Sequence, residues 1–143
     1  MSTILVVDDT ALARESVAKL LENEGFRAIR ARNGRDAWAT LYHERPDLVV
    51  LDLMMPEMDG VTFLTMVRRS PLWRDLPVVV LTGAADANQL IIRAWDLGVS
   101  ELIPKASCGF DDLLARVRHH LATAASCARG ADASRPLIRQ VVG

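Results

Sequence analysis

Asp47-Leu48-Val49-Val50-Leu51-Asp52, with Leu53-Met54-Met55-Pro56 after it, is the stretch whose reading decides the fold. Four consecutive apolar residues stand between two carboxylates. A short run of Val and Leu with a turn signal behind it reads as a strand buried on both faces. Pro56 cannot continue a ladder, and Met58-Asp59-Gly60 makes a loop. Asp52 therefore stands where a central strand ends and a loop begins. In a parallel α/β sheet, ligands bind at that carboxyl edge. A strand-ending turn former and a site residue are both open readings of Asp52 at this point.

Working outward, the same pattern recurs. Thr3 to Val7 is a second buried-strand run, ending in Asp8-Asp9. Thr10 is placed to cap a helix with Ala13, Val17, Leu20 and Leu21 on one face, and Gly25 is placed to stop it. Phe26 to Ala31 is less apolar and carries arginines, as an edge strand does. Asn33-Gly34 is a turn before a helix over Arg35 to Glu44. Val61 to Arg69 is a third helix. Pro77 to Leu81 is another buried strand, ending at Thr82-Gly83. Asp86 to Leu97 is a fourth helix, Val99 to Ile103 a last strand, and Phe110 to about Thr123 a last helix. Five strands alternate with five helices, and every strand-to-strand connection is long enough for a right-handed crossover. The expected fold is α/β, a doubly wound parallel sheet. Residues 1–125 form one domain on this reading. Residues 126–143, with Gly, Pro, Ser and weak periodicity, form a flexible tail or linker.

Composition narrows the function classes. The 143 residues carry a net charge of −1, so no basic field argues for direct nucleic-acid binding or an anionic membrane. No run approaches membrane-spanning length and the start lacks a signal-peptide pattern, which sets cytoplasmic as the expected location. Cys108 and Cys127 make neither a disulfide framework nor a metal-ligand spacing. Among 17 basic residues only Lys19 and Lys105 are lysines, which makes a lysine at a strand end notable.

In a parallel sheet the strand ends converge on one side. Asp8, Asp9, Asp52, Thr82 and Lys105 then share one small region, and separate dull explanations for each are hard to sustain together. Clustered carboxylates repel unless a cation neutralises them, and a hard-oxygen set suits Mg²⁺, which leaves room for phosphate oxygens. Lys105, the Thr82 hydroxyl and backbone N–H groups at Met54 and Gly83 are available to phosphoryl oxygens. A carboxylate within such an array is a nucleophile for phosphoryl transfer.

These residues in this order resemble the response-regulator receiver domain of two-component signalling, chemotaxis-regulator-like and flavodoxin-like. The resemblance covers about Ser2 to Thr123. It rests on Val-Val-Asp8-Asp9, on Asp52-Leu-Met-Met-Pro56-Glu-Met-Asp59-Gly60, on Val-Leu-Thr82-Gly83, and on Gly98 with Ile-Pro-Lys105. It implies a (βα)5 sheet of order 2-1-3-4-5. It implies Asp52 as phosphoacceptor, and Asp9, Asp8, Asp52 and the Met54 carbonyl as Mg²⁺ ligands, Asp8 directly or through water. Thr82 and Lys105 are then the phosphoryl-binding hydroxyl and ammonium. The implied donor is a phosphohistidine on a histidine kinase or histidine phosphotransfer protein. The module is no enzyme beyond its own phosphoryl transfer and slow dephosphorylation.

Two departures stand out. Ala106 follows Lys105 where the family usually has proline, often after a cis bond, and a cis bond before alanine costs about 3–4 kcal/mol. Leu102 stands where the family commonly has Tyr or Phe, so a switch must reach the surface of the fourth helix, last strand and last helix without that ring. Trp95 is the candidate there. Asp59 and Gly60 read as loop structure. A receiver-like binding module independent of phosphorylation is the alternative, and an aspartyl-nucleophile phosphatase fits less well, since Met54 occupies the position of its second aspartate. The output partner is not legible. Arg93, Glu101, Asp112 and Arg116 suggest a possible homodimer through the fourth-helix face.

Overall fold

The computed structural model describes residues 2–53, 60–83, 88–104 and 109–131, with the side chains of 88–90 and 125–131 left aside. The elements run β1 (Thr3–Val7), α1 (Ala11–Asn23), β2 (Arg27–Ala31), α2 (Gly34–Glu44), β3 (Leu48–Asp52), α3 (Gly60–Arg69), β4 (Val78–Thr82), α4 (Asn88–Asp96), β5 (Glu101–Pro104) and α5 (Phe110–Ala131). All strand pairs are parallel, in the order β2-β1-β3-β4-β5. The expected doubly wound sheet of order 2-1-3-4-5 is the observed one.

The two-residue period of the strands builds two cores. Leu5, Val7, Val49, Leu51, Val78 and Val80 pack with Ala37 and Leu41 of α2, Phe63, Leu64 and Val67 of α3, and Ala94 of α4. The alternate residues Ile4, Val6, Leu48, Val50, Val79 and Leu81 pack with Val17, Ala18 and Leu21 of α1 and Leu113, Leu114 and Val117 of α5. This is why the central strands read as unbroken apolar runs: both faces of β3 and β4 are buried along their whole length.

The edge position of β2 explains its arginines. Arg30 reaches Glu15 at 2.9 Å and Glu22 at 3.0 Å, tying the edge to α1. The hydrogen bond from Arg30 lowers the Glu22 carboxyl pKa. A folded value below the unfolded one contributes stability above the unfolded pKa and loses it as pH falls. The exposed pair contributes little.

Three local expectations are revised. Thr10 stands at the N-cap of α1 but its side chain makes no capping bond. Instead its own N–H donates to Asp8 Oδ1 at 2.9 Å. Asn33 and Gly34 are a helix start rather than a free turn: Gly34 opens α2 and Asn33 Oδ1 accepts from the Asp36 N–H at 2.8 Å. α5 continues to Ala131, past the expected end near Thr123, because Ala122, Ala124, Ala125 and Ala128 are strong helix formers. Gly25 stops the first helix as expected, with φ +92°.

Asn33 is 7% exposed, so its loss leaves a buried helix end without that acceptor. Asn33→Ala is expected to destabilise the domain by about 1–2 kcal/mol. Urea unfolding measures it, and an unmoved midpoint would remove the cap from the account of α2.

Candidate functional site

The register carries the site. Val7 of β1 is paired with Leu51 of β3, and Asp52 with Leu81 of β4. Asp8, one residue past Val7, thus comes level with Asp52. One carboxylate oxygen from each of Asp8, Asp9 and Asp52 lies within 4.8 Å of the other two. Asp8 is 3% exposed and Asp52 5%, while Asp9 is open to solvent. Thr82 ends β4 opposite Pro104 of β5, is 6% exposed, and is followed by the half-buried Gly83.

Asp8 is held at three atoms. Its Oδ1 accepts from the Thr10 N–H, an Asx-type turn, and its carbonyl accepts from Arg14 Nη1 at 2.9 Å. Its N–H donates to the Ala31 carbonyl at 3.1 Å. A side chain fixed in this way keeps its second oxygen directed by the backbone rather than by a free rotamer. Arg14 was not singled out by sequence reasoning. In a chain with 17 basic residues, nearly all of them arginine, nothing marks one of them as special.

Hard oxygens gathered this closely fit a small divalent cation. At an effective dielectric of about 20, two charges about 5 Å apart repel by roughly 3 kcal/mol, so a cation among them is favoured. Met54, Lys105 and Ala106 lie outside the described residues, as does Asp59. Pro104, the partner of Thr82, is the last described residue of β5.

Gly60 is more than loop. It opens α3, donates its N–H to the Leu53 carbonyl at 2.8 Å, and packs against the end of β3. A Cβ there would lie 2.7 Å from the Asp52 carbonyl oxygen and 2.7 Å from Leu53 Cα.

Two depressions are placed differently with respect to Asp8, Asp9 and Asp52. One of about 140 Å³ opens beside Asp8, between Ala13 and Val17 of α1 and Leu113 of α5, with Phe110 on its rim. Phe110 is 57% exposed, not a core residue of α5. A larger one of about 510 Å³ lies at Arg68, Asp96 and Ser100, near the entering ends of β4 and β5 and away from the carboxylates. Leu102 is half-buried against the core of the α2, α3 and α4 side, and Trp95 on α4 is 52% exposed. Glu101 is engaged within the chain, 3.0 Å from His120 Nε2.

The comparisons with known proteins agree with this geometry. Residues 4–118 match the family model for the response regulator receiver domain. Response regulator MprA of Mycolicibacterium vanbaalenii is 39% identical over 115 residues, 80% of this chain and 48% of that protein. The phosphate regulon transcriptional regulatory protein PhoB of Pseudomonas aeruginosa is 34% identical over 72% of this chain and 44% of that protein. The chain thus spans about half the length of the curated relatives it matches. Among solved structures, the signal receiver domain of a signal transduction histidine kinase from Syntrophus aciditrophicus superposes with a TM-score of 0.78 at 32% identity, covering 86% of this chain and 92% of that one. Chemotaxis protein CheY4 of Vibrio cholerae gives 0.75 at 25% identity, covering 83% and 98%. With the acid cluster, the strand order and the matched 115 residues all in agreement, the chain belongs to the response regulator receiver domain family.

Proposed function

We propose that this receiver accepts a phosphoryl group on Asp52 from a phosphohistidine donor, with Mg²⁺, and passes the change to a partner through α4, β5 and α5. The observation that carries the reading is the convergence of Asp8, Asp9 and Asp52 within 4.8 Å at the carboxyl edge of the sheet. An Asp52 carboxylate oxygen forms the bond to phosphorus. The phosphorus–nitrogen bond to the donor imidazole breaks, and its electron pair stays on that nitrogen. Asp8, Asp9, Asp52 and the Met54 carbonyl would hold the Mg²⁺. When bound, the ion supplies neutralisation of the charge on the phosphoryl oxygens. The Thr82 hydroxyl and the N–H groups of Met54 and Gly83 donate to those oxygens, and Lys105 pairs with them. Catalysis by these residues is positioning and charge neutralisation.

The donor is a histidine kinase or histidine phosphotransfer protein. Receiver domains of response regulators are in general signalling modules rather than enzymes, and self-catalysed transfer with slow dephosphorylation is the only chemistry proposed here. Leu102 and Trp95 mark the switch and partner face. Among the described residues no helix is long and apolar enough to cross a membrane, and the cytoplasmic setting proposed for the chain rests on its family. The receiver is assigned to 1–125 and a tail or linker to 126–143, the first six residues of which continue α5 to Ala131. One relative is a transcriptional regulatory protein, and direct nucleic-acid binding by residues 1–125 is not proposed, given the net charge of −1 over the whole chain. A homodimer through the α4 face would use Arg93, Asp112 and Arg116, all exposed, with Glu101 already engaged by His120.

The test is intact mass after incubation with Mg²⁺ and acetyl phosphate. One phosphoryl adduct is expected on the wild type and none on Asp52→Ala or with chelator. A wild type without adduct sinks the reading and favours the phosphorylation-independent binding module.

A further inference from the structure

Arg68, in the last turn of α3, is half-buried and spends its guanidinium on main-chain carbonyls. Nε donates to Leu97 O at 2.7 Å and Nη2 to Gly98 O at 3.0 Å. Nη1 donates to Leu76 O at 2.9 Å and to Arg74 O at 3.1 Å. Two of these carbonyls lie just past the C-terminal end of α4, and the other two lie in the segment that leads into β4. Both segments are therefore gripped at the same end of the molecule, the end far from Asp52.

The chemistry of the grip is specific. The last carbonyls of a helix have no partner within it and carry the negative end of its dipole. Gly98, with φ +72°, turns the chain there and leaves Leu97 O and Gly98 O facing the cation. The planar fork of an arginine serves several acceptors at fixed angles, which a lysine ammonium does not. Burial lowers the Arg68 pKa and the charge of Asp75 opposes that shift. The Ser100 N–H adds a bond to Val78 O at 2.9 Å, closing the same corner between β4 and β5.

At the other end the same two elements are differently placed. β4 terminates in Thr82 at the acid cluster, and α4 begins at Asn88, the next element in the chain. α4 packs on the sheet through Ala94, while Ile92 and Trp95 lie on its exposed side, 59% and 52% accessible. A displacement that starts at Thr82 thus meets α4 at its leading end, with the trailing end held.

We propose that Arg68 is the fixed point of the switch: it pins the trailing end of α4 to the entry of β4, so that a change at Thr82 swings the leading half of α4 about Leu97–Gly98. This rests on Asp52 being the phosphoacceptor, and it makes Arg68 a positioning residue rather than a catalytic one. It also supplies a route to the Ile92 and Trp95 surface that needs no aromatic ring at Leu102.

Hydrogen–deuterium exchange on the full chain, with and without Mg²⁺ and beryllofluoride, tests the pivot, with the acetyl-phosphate adduct mass read on the same samples. In the wild type, the state-dependent change is expected in the leading half of α4 and not at residues 97–100. In Arg68→Met, which keeps the aliphatic stem and loses the fork, residues 97–100 are expected to exchange about tenfold faster and to join the state-dependent change. The adduct on Asp52 is expected to remain, and Arg68→Lys is expected to restore the confinement only in part. A wild type whose 97–100 amides respond as strongly as the leading half overturns the pivot, whether or not the variant folds. So does an Arg68→Met protein with the wild-type pattern. An absent adduct on the wild type overturns the phosphoacceptor reading instead, and the switch with it.

Discussion

Gly60→Ala is expected to destabilise the domain by about 3 kcal/mol and to slow adduct formation on Asp52 by roughly tenfold or more. The added methyl would sit 2.7 Å from two backbone atoms, Asp52 O and Leu53 Cα. Real Cβ contacts are not that short, and neither atom belongs to a side chain that can rotate away. Leu53 is fully buried and its side chain also lies 3.2 Å from the same point. Alanine gains up to about 1 kcal/mol over glycine in helix propensity, and less in a first turn. That gain is smaller than the overpacking cost, so the steric effect wins. Relief requires the start of α3 to move off β3, and the hydrogen bond from Gly60 N to Leu53 O goes with it. Because the struck atom is the carbonyl of Asp52, the proposed phosphoacceptor, stability and site geometry are expected to fail together. Urea unfolding and the time course of intact mass measure the two effects. An alanine variant as stable as the wild type would show that the α3–β3 approach is looser than described.

Mg²⁺ is expected to stabilise the wild type by about 2.7 kcal/mol at a hundred times its dissociation constant, a rise in Tm of about 10 °C for a domain of this size. The cause is the three carboxylates within 4.8 Å, two of them buried, where water screens poorly. Asp52→Asn keeps the shape and removes one charge. Its midpoint in chelator is expected to lie above that of the wild type, and most of the Mg²⁺ gain is expected to vanish. Thermal unfolding of both proteins with Mg²⁺ and with chelator decides this. Equal Mg²⁺ shifts in the two proteins would place the ion away from Asp52.

Much of this molecule was legible from the chain. The apolar runs at Thr3–Val7, Leu48–Leu51 and Val78–Leu81 announced strands buried on both faces, because only burial makes four or five consecutive apolar residues favourable in so short a segment. The arginines of β2 announced an edge. Alternation of strands and helices sets the parallel sheet, and a parallel sheet aligns the strand ends, so Asp8, Asp9, Asp52 and Thr82 fall together at one edge. Local readings held less well where a residue had two plausible local uses. Asn33-Gly34 reads as a turn, and the bond from the Asp36 N–H at 2.8 Å makes it the start of α2 instead. Phe110 opens the last helix as one of its apolar residues and is exposed, because α5 turns Leu113, Leu114 and Val117 to the sheet instead.

What the sequence by itself determined is therefore the order of elements, the sheet they make, and the carboxylates at its edge, since each follows from periodicity along the chain. What only the tertiary structure decided are contacts between segments remote in sequence. Gly60 must be glycine because the β3 backbone passes 2.7 Å from where its Cβ would be. Arg14 holds the Asp8 carbonyl, and Arg68 grips carbonyls up to 30 residues away. Main-chain carbonyls are the same at every position, so no residue type announces which arginine they will meet. That choice is made when the helices pack.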